Sequence, residues 1–292
     1  MARESKINHY MEFSLLKNKR EYSLIMTTII IGLGYFGKIL KSKLRDVITV
    51  DPYNNEADYR HIDDVQFNED DTRVFVATPA STHHTVLMNL FSLGVKNIWV
   101  EKPIRPSLDD TLDIFANKPD DTFLYCDFTW LQHSAVKALG QCKNVKHIEM
   151  KWLNNGTMIP RDVNIVEDLA IHPISILMFL LMKSKKTIDK IHVPYANDTS
   201  IFINGSCGDI TFNIEVSNSS MKKSRSIGIY TLDNVYRWSS DNEFYIENIG
   251  SIEKTDAIEM NIKHFMNRNS IGYPLDIART LESVNESYRA FN

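Results

Sequence analysis

Ile29-Ile30-Ile31-Gly32-Leu33-Gly34-Tyr35-Phe36-Gly37 decides the fold: an apolar, β-branched run enters a G-x-G-x-x-G turn. Each glycine meets a separate demand. Gly32 takes the tight bend, Gly34 lets backbone approach a pyrophosphate, and Gly37 lets the next helix sit close on the strand. That helix starts at the phosphate, its unpaired N–H groups and positive dipole end facing the anion, so the turn, with Leu33, Tyr35 and Phe36 as its other members, needs no basic side chain. Phe36 to Leu44 reads as a helix and Val47-Ile48-Thr49-Val50 as a second strand, closed by Asp51 about twenty residues beyond Gly32, where an acid accepts ribose hydroxyls. A carboxylate there repels a 2′-phosphate. This favours NAD and leaves NADP open through Arg60 or a nearby lysine.

The rest of the 292 residues, 43% hydrophobic, suffice for two domains with a sizeable core. A net charge of −4 offers no basic surface for nucleic acid and no polybasic membrane anchor, so the expected partner is a small molecule. Cys126, Cys142 and Cys207 are odd in number and lack C-x-x-C spacing, which fits a reducing, cytoplasmic setting and opposes a metal site. Residues 1–25 carry Arg3, Lys6, Lys17, Lys19 and Arg20 without an apolar run; they read as an arm, or the start lies at Met26.

Beyond Asp51, the acidic stretch Pro52 to Asp71 reads as a loop or short helix. Arg73 to Ala77 forms a strand ending at Thr78-Pro79, followed by a helix from Thr82 to Leu93. Asn97 to Val100 is the next strand and delivers Glu101-Lys102-Pro103 at its carboxyl end, the edge where open parallel sheets bind ligands. A helix follows Pro106-Ser107, and Thr122 to Cys126 adds a further strand. The pattern then gives a helix at Leu131 to Leu139, a strand at Lys146 to Leu153 and an apolar helix from Val163 to Met182 carrying Asp168 and His172 four apart on one face. Strand-like runs at Ile188–Val193, Ser200–Asn204, Asp209–Val216, Ser226–Leu232 and Val235–Trp238 indicate a largely antiparallel sheet, and Asp256–Met266 and Leu275–Phe291 read as helices. The expected architecture is a doubly wound Rossmann α/β domain over 26–127, then an α+β domain over 128–292. Its open-faced sheet favours a homo-oligomer.

Taken together, Gly32-x-Gly34-x-x-Gly37, Ala77-Thr78-Pro79 with His83, Glu101-Lys102-Pro103 and Asp168-x-x-x-His172 resemble the glucose-fructose oxidoreductase and inositol dehydrogenase family. The resemblance implies that Thr78, Pro79, His83 and Glu101 lie near the nicotinamide. It also implies that Lys102, often before a cis proline, stands between nicotinamide and substrate, with Asp168 and His172 meeting it from the second domain. His84 adjoins His83 and is the alternative. The chemistry agrees: hydride transfer at a carbinol carbon needs a group to exchange the hydroxyl proton, which suits His172, while Lys102 holds the oxygen and Asp168 orients or supports the imidazole.

Trp130 and Arg161 flank the expected substrate region, and Asn154, Asn155 and Arg161 are candidates for holding substrate hydroxyls. Val163-Asn164-Ile165 stand where the family has glycines, and Ser175 replaces a common acid, so the substrate is less defined than the reaction. The expected activity is NAD(P)-dependent oxidation of a secondary alcohol, or ketone reduction, on a sugar, nucleotide sugar or cyclitol. Alternatives are a cofactor-binding regulator without catalysis, or a reductase of a non-sugar substrate such as a linear tetrapyrrole.

Overall fold

The computed structural model describes residues 27–156, 162–182, 187–269 and 274–291. The N-terminal arm, Arg161 and the Gly272-Tyr273 link lie outside these. By contacts the chain divides into two compact units: residues up to Thr78 with Asn89–Ile98 and Pro119–Leu124, and Pro79–Met88 with Trp99–Lys118 and everything from Tyr125 onward.

In chain order, β1 (Thr27–Ile31), α1 (Tyr35–Lys43), β2 (Val47–Val50), β3 (Thr72–Val76), α2 (His83–Ser92), β4 (Asn97–Val100), α3 (Leu108–Asn117) and β5 (Phe123–Cys126) build a sheet of order β2-β1-β3-β4-β5. Strand β1 pairs in parallel with β2 and β3, and the chain reverses direction of travel across the sheet at this point. Ile29, Ile30, Val74 and Phe75 are fully buried, as continuous apolar strands covered on both faces should be; each such burial contributes about 2 kcal/mol. These five strands are the five segments that the sequence reading names for this sheet. Between Asp51 and Asp71 the described chain forms a short 3₁₀ turn at Ile62–Asp64 and a single bridge from Tyr59 to Val50. Its acids leave no apolar run for a strand.

The turn after β1 shows why glycine stands there. Gly32 has φ of +94°, and a Cβ on it would meet Ala77 O at 2.6 Å; a Cβ on Gly37 would stand 1.9 Å from Gly32 O. Helix and turn therefore interlock through two missing side chains.

The second sheet has order β13-β12-β11-β10-β6-β9-β8-β7. Its strands are β6 (Val145–Asn155), β7 (Lys190–Asn197), β8 (Ser200–Cys207), β9 (Ile210–Ser217), β10 (Ser219–Thr231), β11 (Val235–Ser239), β12 (Tyr245–Ile246) and β13 (Gly250–Ser251). Pairing is antiparallel except between β6 and β9. Register aligns Ile227, Met150, Ile214 and Ile203 across four strands, all at most 1% exposed. The alternate residues, such as the Lys151–Glu215 ion pair at 3.1 Å and exposed Phe202 and Tyr195, lie on the opposite face.

Helices α4 (Ser134–Leu139), α5 (Ile171–Met182), α6 (Ala257–Met266) and α7 (Pro274–Arg289) complete this unit. Two expected helices are modified. The Leu131–Leu139 helix is a 3₁₀ turn at Thr129–Gln132 and then α4, divided at His133, whose Nδ1 caps Ala135 N at 3.2 Å. The Val163–Met182 helix opens as a π-helical turn over Val166–Ala170, in which Ile171 N–H reaches back to Val166 O. Pro173 lacks the N–H that would close an α-helical bond on Leu169 O, so the preceding turn widens. Among the described residues no helix is long and apolar enough to cross a membrane.

Gly37→Ala should cost about 3 kcal/mol by overpacking backbone on backbone. Gly34→Ala, whose Cβ would meet nothing within 4 Å, should stay within about 1 kcal/mol of the parent. Urea denaturation of the two variants checks the contrast.

Candidate active site

Strand β4 ends at Val100, and the loop beyond it is clamped on both sides of Lys102. The Lys102–Pro103 peptide is cis. His83, 1% exposed, directs Nδ1 at Pro103 O (3.0 Å) and Ile104 O (3.2 Å). His84 pairs instead with Asp113 at 2.7 Å, so of the two adjacent histidines His83 is the one that braces this loop. Farther along, Arg105 Nε donates to Asp110 Oδ2 at 2.9 Å.

Held this way, Lys102 Nζ donates to Asp168 O at 2.9 Å and to Asp168 Oδ1 at 3.1 Å. The two side chains are only 13% and 21% exposed. Burial opposes the ammonium charge, but the Glu101 and Asp168 carboxylates outweigh it and raise the Lys102 pKa above its usual value. Burial in turn pushes Glu101 up to about 8, with Lys102 opposing and Asp127 and Asp168 adding to the rise.

Asp168 owes its place to a polar network at the start of the π turn. Asn164 Oδ1 accepts from Val166 N (2.8 Å) and Glu167 N (3.1 Å), and Glu167 Oε2 accepts from Asn164 N (2.9 Å). This is the reciprocal logic of a capping box. Asn285 of α7 closes it, donating Nδ2 to Glu167 Oε1 at 3.1 Å and accepting from Asn164 Nδ2 at 2.9 Å. Asn164, at a position where the resemblance leads one to expect glycine, is thus the cap of the turn that carries Asp168.

His172 sits in the first turn of α5, half-buried, its ring centroid 6.0 Å from that of Trp152. Burial first, then the charges of Lys102 and Arg225, holds its pKa well below the ordinary histidine value, so the ring is neutral at pH 7. The expected orienting of His172 by Asp168 takes a different form: the carboxylate is engaged by Lys102, and no hydrogen bond joins it to the imidazole among the described residues. An ammonium donor outcompetes a neutral ring for an anion.

The structure also brings in groups that motif reading passed over. Asp127, 1% exposed, follows β5, and its N–H donates to Val100 O at 2.8 Å. Its carboxylate accepts from Thr129 Oγ1 at 2.6 Å and from Asn261 Nδ2, and Asn261 in turn accepts from the Tyr125 hydroxyl. Burial pushes Asp127 up to about 7 against the hydrogen bonds of Thr129 and the charge of Lys102. Its placement at the end of a strand beside Val100 was the available signal.

The glycine turn belongs to the first unit. Leu33 N donates to Asp51 Oδ2 at 2.8 Å, while Asp51 Oδ1 accepts from Tyr53 N (2.9 Å) and Asn54 N (3.0 Å). Partial burial works against the Asp51 charge, yet these N–H groups and Arg60 hold its pKa below the usual carboxylate value. Helix α1 begins after Gly34 with no side-chain cap and no acid in its first turn. Tyr35 is exposed, Phe36 and Thr78 are half-buried and Pro79 is exposed at the head of a 3₁₀ turn. Of the proposed substrate residues, Arg161 lies outside the described residues, Asn155 is exposed, and Asn154 is buried with its Oδ1 accepting from Arg225 Nη2 at 2.7 Å. Trp130 stands edge-on to Trp152 at 4.7 Å. Among the described residues no group of three or more His, Cys, Asp or Glu side chains is arranged to hold a metal ion.

Asn285→Ala should leave Glu167 and Asn164 each short of a partner, cost about 2 kcal/mol in urea denaturation, and slacken the turn that carries Asp168.

No protein-family model matches the sequence, and no curated protein matches it. Solved structures do. UDP-N-acetylglucosamine 3-dehydrogenase GnnA from Acidithiobacillus ferrooxidans matches with TM-score 0.79 at 17% identity, over 91% of this chain and 98% of that one. GenD2 from gentamicin A biosynthesis, solved in complex with NAD, gives 0.74 at 13%, over 91% and 95%. A myo-inositol dehydrogenase from Corynebacterium glutamicum gives 0.71 at 14%, over 91% and 97%. The chain has the fold of the glucose-fructose oxidoreductase and inositol dehydrogenase family, the family its motifs resemble.

Proposed function

We propose that the protein is a nicotinamide-dependent oxidoreductase acting on a secondary alcohol, or the matching ketone, of a sugar, nucleotide sugar or cyclitol. The observation that carries this reading is an ammonium, Lys102, bonded to Asp168 through both its carbonyl and its carboxylate, whose charge acts on a His172 held neutral. Lys102 presents a donor to the alcohol or ketone oxygen, and neutral His172 takes the hydroxyl proton in oxidation and returns it in reduction. Asp168 keeps Lys102 in place. The structures matched by fold include dehydrogenases of a nucleotide sugar and of a cyclitol.

The first unit fits a dinucleotide. The open space at Gly34, the uncapped N–H groups of α1 and the ionised Asp51 are the groups that would hold pyrophosphate and ribose. When bound, the nicotinamide supplies the hydride acceptor or donor. Arg60 donates to Pro52 O at 2.8 Å and to Asn55, and its charge helps keep Asp51 ionised, which supports NAD over NADP. A second copy packing on the open face of the eight-stranded sheet would give the homo-oligomer.

Screening nucleotide sugars and cyclitols with both coenzymes, by absorbance of the reduced nicotinamide, tests the reading; failure of both coenzymes to bind at millimolar concentration overturns it. Lys102→Met should lower kcat about 10²–10³-fold, and unchanged activity would remove Lys102 from the chemistry. In alcohol oxidation the base must be unprotonated. The rate should therefore rise with pH to a plateau reached below the ordinary histidine pKa of about 6.5, and His172→Ala should abolish that limb.

A further inference from the structure

Arg225 occupies a core position of the second sheet. Register places it in one row with Trp152, Val216 and Ile201. Those three are fully buried, and Arg225 itself is 8% exposed. Alternation along β10 gives the same face to Ile227 and Ile229.

Its surroundings are neutral. The guanidinium lies 5.2 Å from the Trp152 ring centroid and 5.8 Å from that of Trp130. Among the described residues its side-chain hydrogen bond goes to the Asn154 amide oxygen, and no carboxylate pairs with it. Its Nε is buried without an acceptor, and so is Trp152 Nε1 in the same cluster. Indole faces offset part of the cost of burying a cation, but a buried charge without a counter-charge remains expensive, and orphan buried donors call for an acceptor from outside the chain. The same guanidinium is felt by His172, whose ring stacks near Trp152.

We propose that Arg225 is the receptor for an anionic group on the substrate, a carboxylate or phosphate carried by the sugar ring. The proposal rests on the sugar-oxidoreductase reading and deepens it. A guanidinium fork matches the oxygen pair of either anion, and the orphan Nε–H is the donor left to meet it. The anion supplies the counter-charge that the apolar row withholds. A neutral sugar leaves that donor unpaired, which is how a polar site rejects an analogue lacking its partner group.

Trp130 and Trp152 are two of only four tryptophans in the chain, so indole fluorescence reports on this site. The full chain is titrated with glucuronate, glucose 1-phosphate and glucose, with and without NAD, while NAD binding is followed separately by calorimetry. At least one anionic sugar should give its midpoint at a concentration about ten-fold or more below that of glucose, and which one does so separates carboxylate from phosphate. Arg225→Gln should erase the preference and Arg225→Lys, which keeps charge without the fork, should retain part of it. Equal midpoints for all three sugars in the parent protein, or a preference that survives Arg225→Gln, overturn the proposal. The parent comparison decides even where a variant does not fold. Absence of NAD binding with the anion preference intact would instead overturn the oxidoreductase reading.

Discussion

A buried ammonium has to be balanced, and much of the second unit is arranged around that requirement. Lys102, with its side chain 13% exposed, would be forced to give up its proton or its burial if Asp168 and Glu101 were elsewhere. Both sides of the balance are set by backbone. The loop after β4 is fastened by His83, and the π turn before α5 offers Nζ a carbonyl as well as a carboxylate from the same residue. In a regular helix a carbonyl spends its bond on the residue four ahead; the irregular turn forced by Pro173 supplies an acceptor to a residue from another element.

The same environment drives neighbouring titratable groups apart. Lys102 is kept charged, His172 is kept neutral, and Glu101 and Asp127 are moved toward the neutral form by burial. A charged donor and a neutral base thus coexist in one environment. Burial drives the shifts of His172, Glu101 and Asp127, whereas the charges of Glu101 and Asp168 overcome it at Lys102.

Residues that depart from the pattern the motifs resemble have local structural roles. Asn164 caps the π turn, and Ser175 Oγ donates to His172 O at 2.8 Å, a local bond within the helix. Arg225 is the opposite case, a charge in an apolar row with no counter-charge among the described residues.

The sequence by itself determined the glycine-rich turn, the acid at the end of β2, the parallel sheet that carries them and the second, largely antiparallel sheet. These depend on local rules: periodicity of apolar residues, and backbone geometry that only glycine tolerates at Gly32 and Gly37. Lys102, Asp168 and His172 were legible as motif members, but tertiary structure decided that Asp168 serves the lysine and not the histidine. It also decided which of His83 and His84 braces the loop, and that Asp127, Asn261 and Asn285 belong to the polar framework. Arg225 escaped because the strand pattern was read from Ser226 onward, and one residue more would have put an arginine on the buried face. Pairings between groups as far apart as the 136 residues from Tyr125 to Asn261 depend on strand register and helix docking. No local pattern encodes those, because the free energy that selects them is gained only when the whole unit packs.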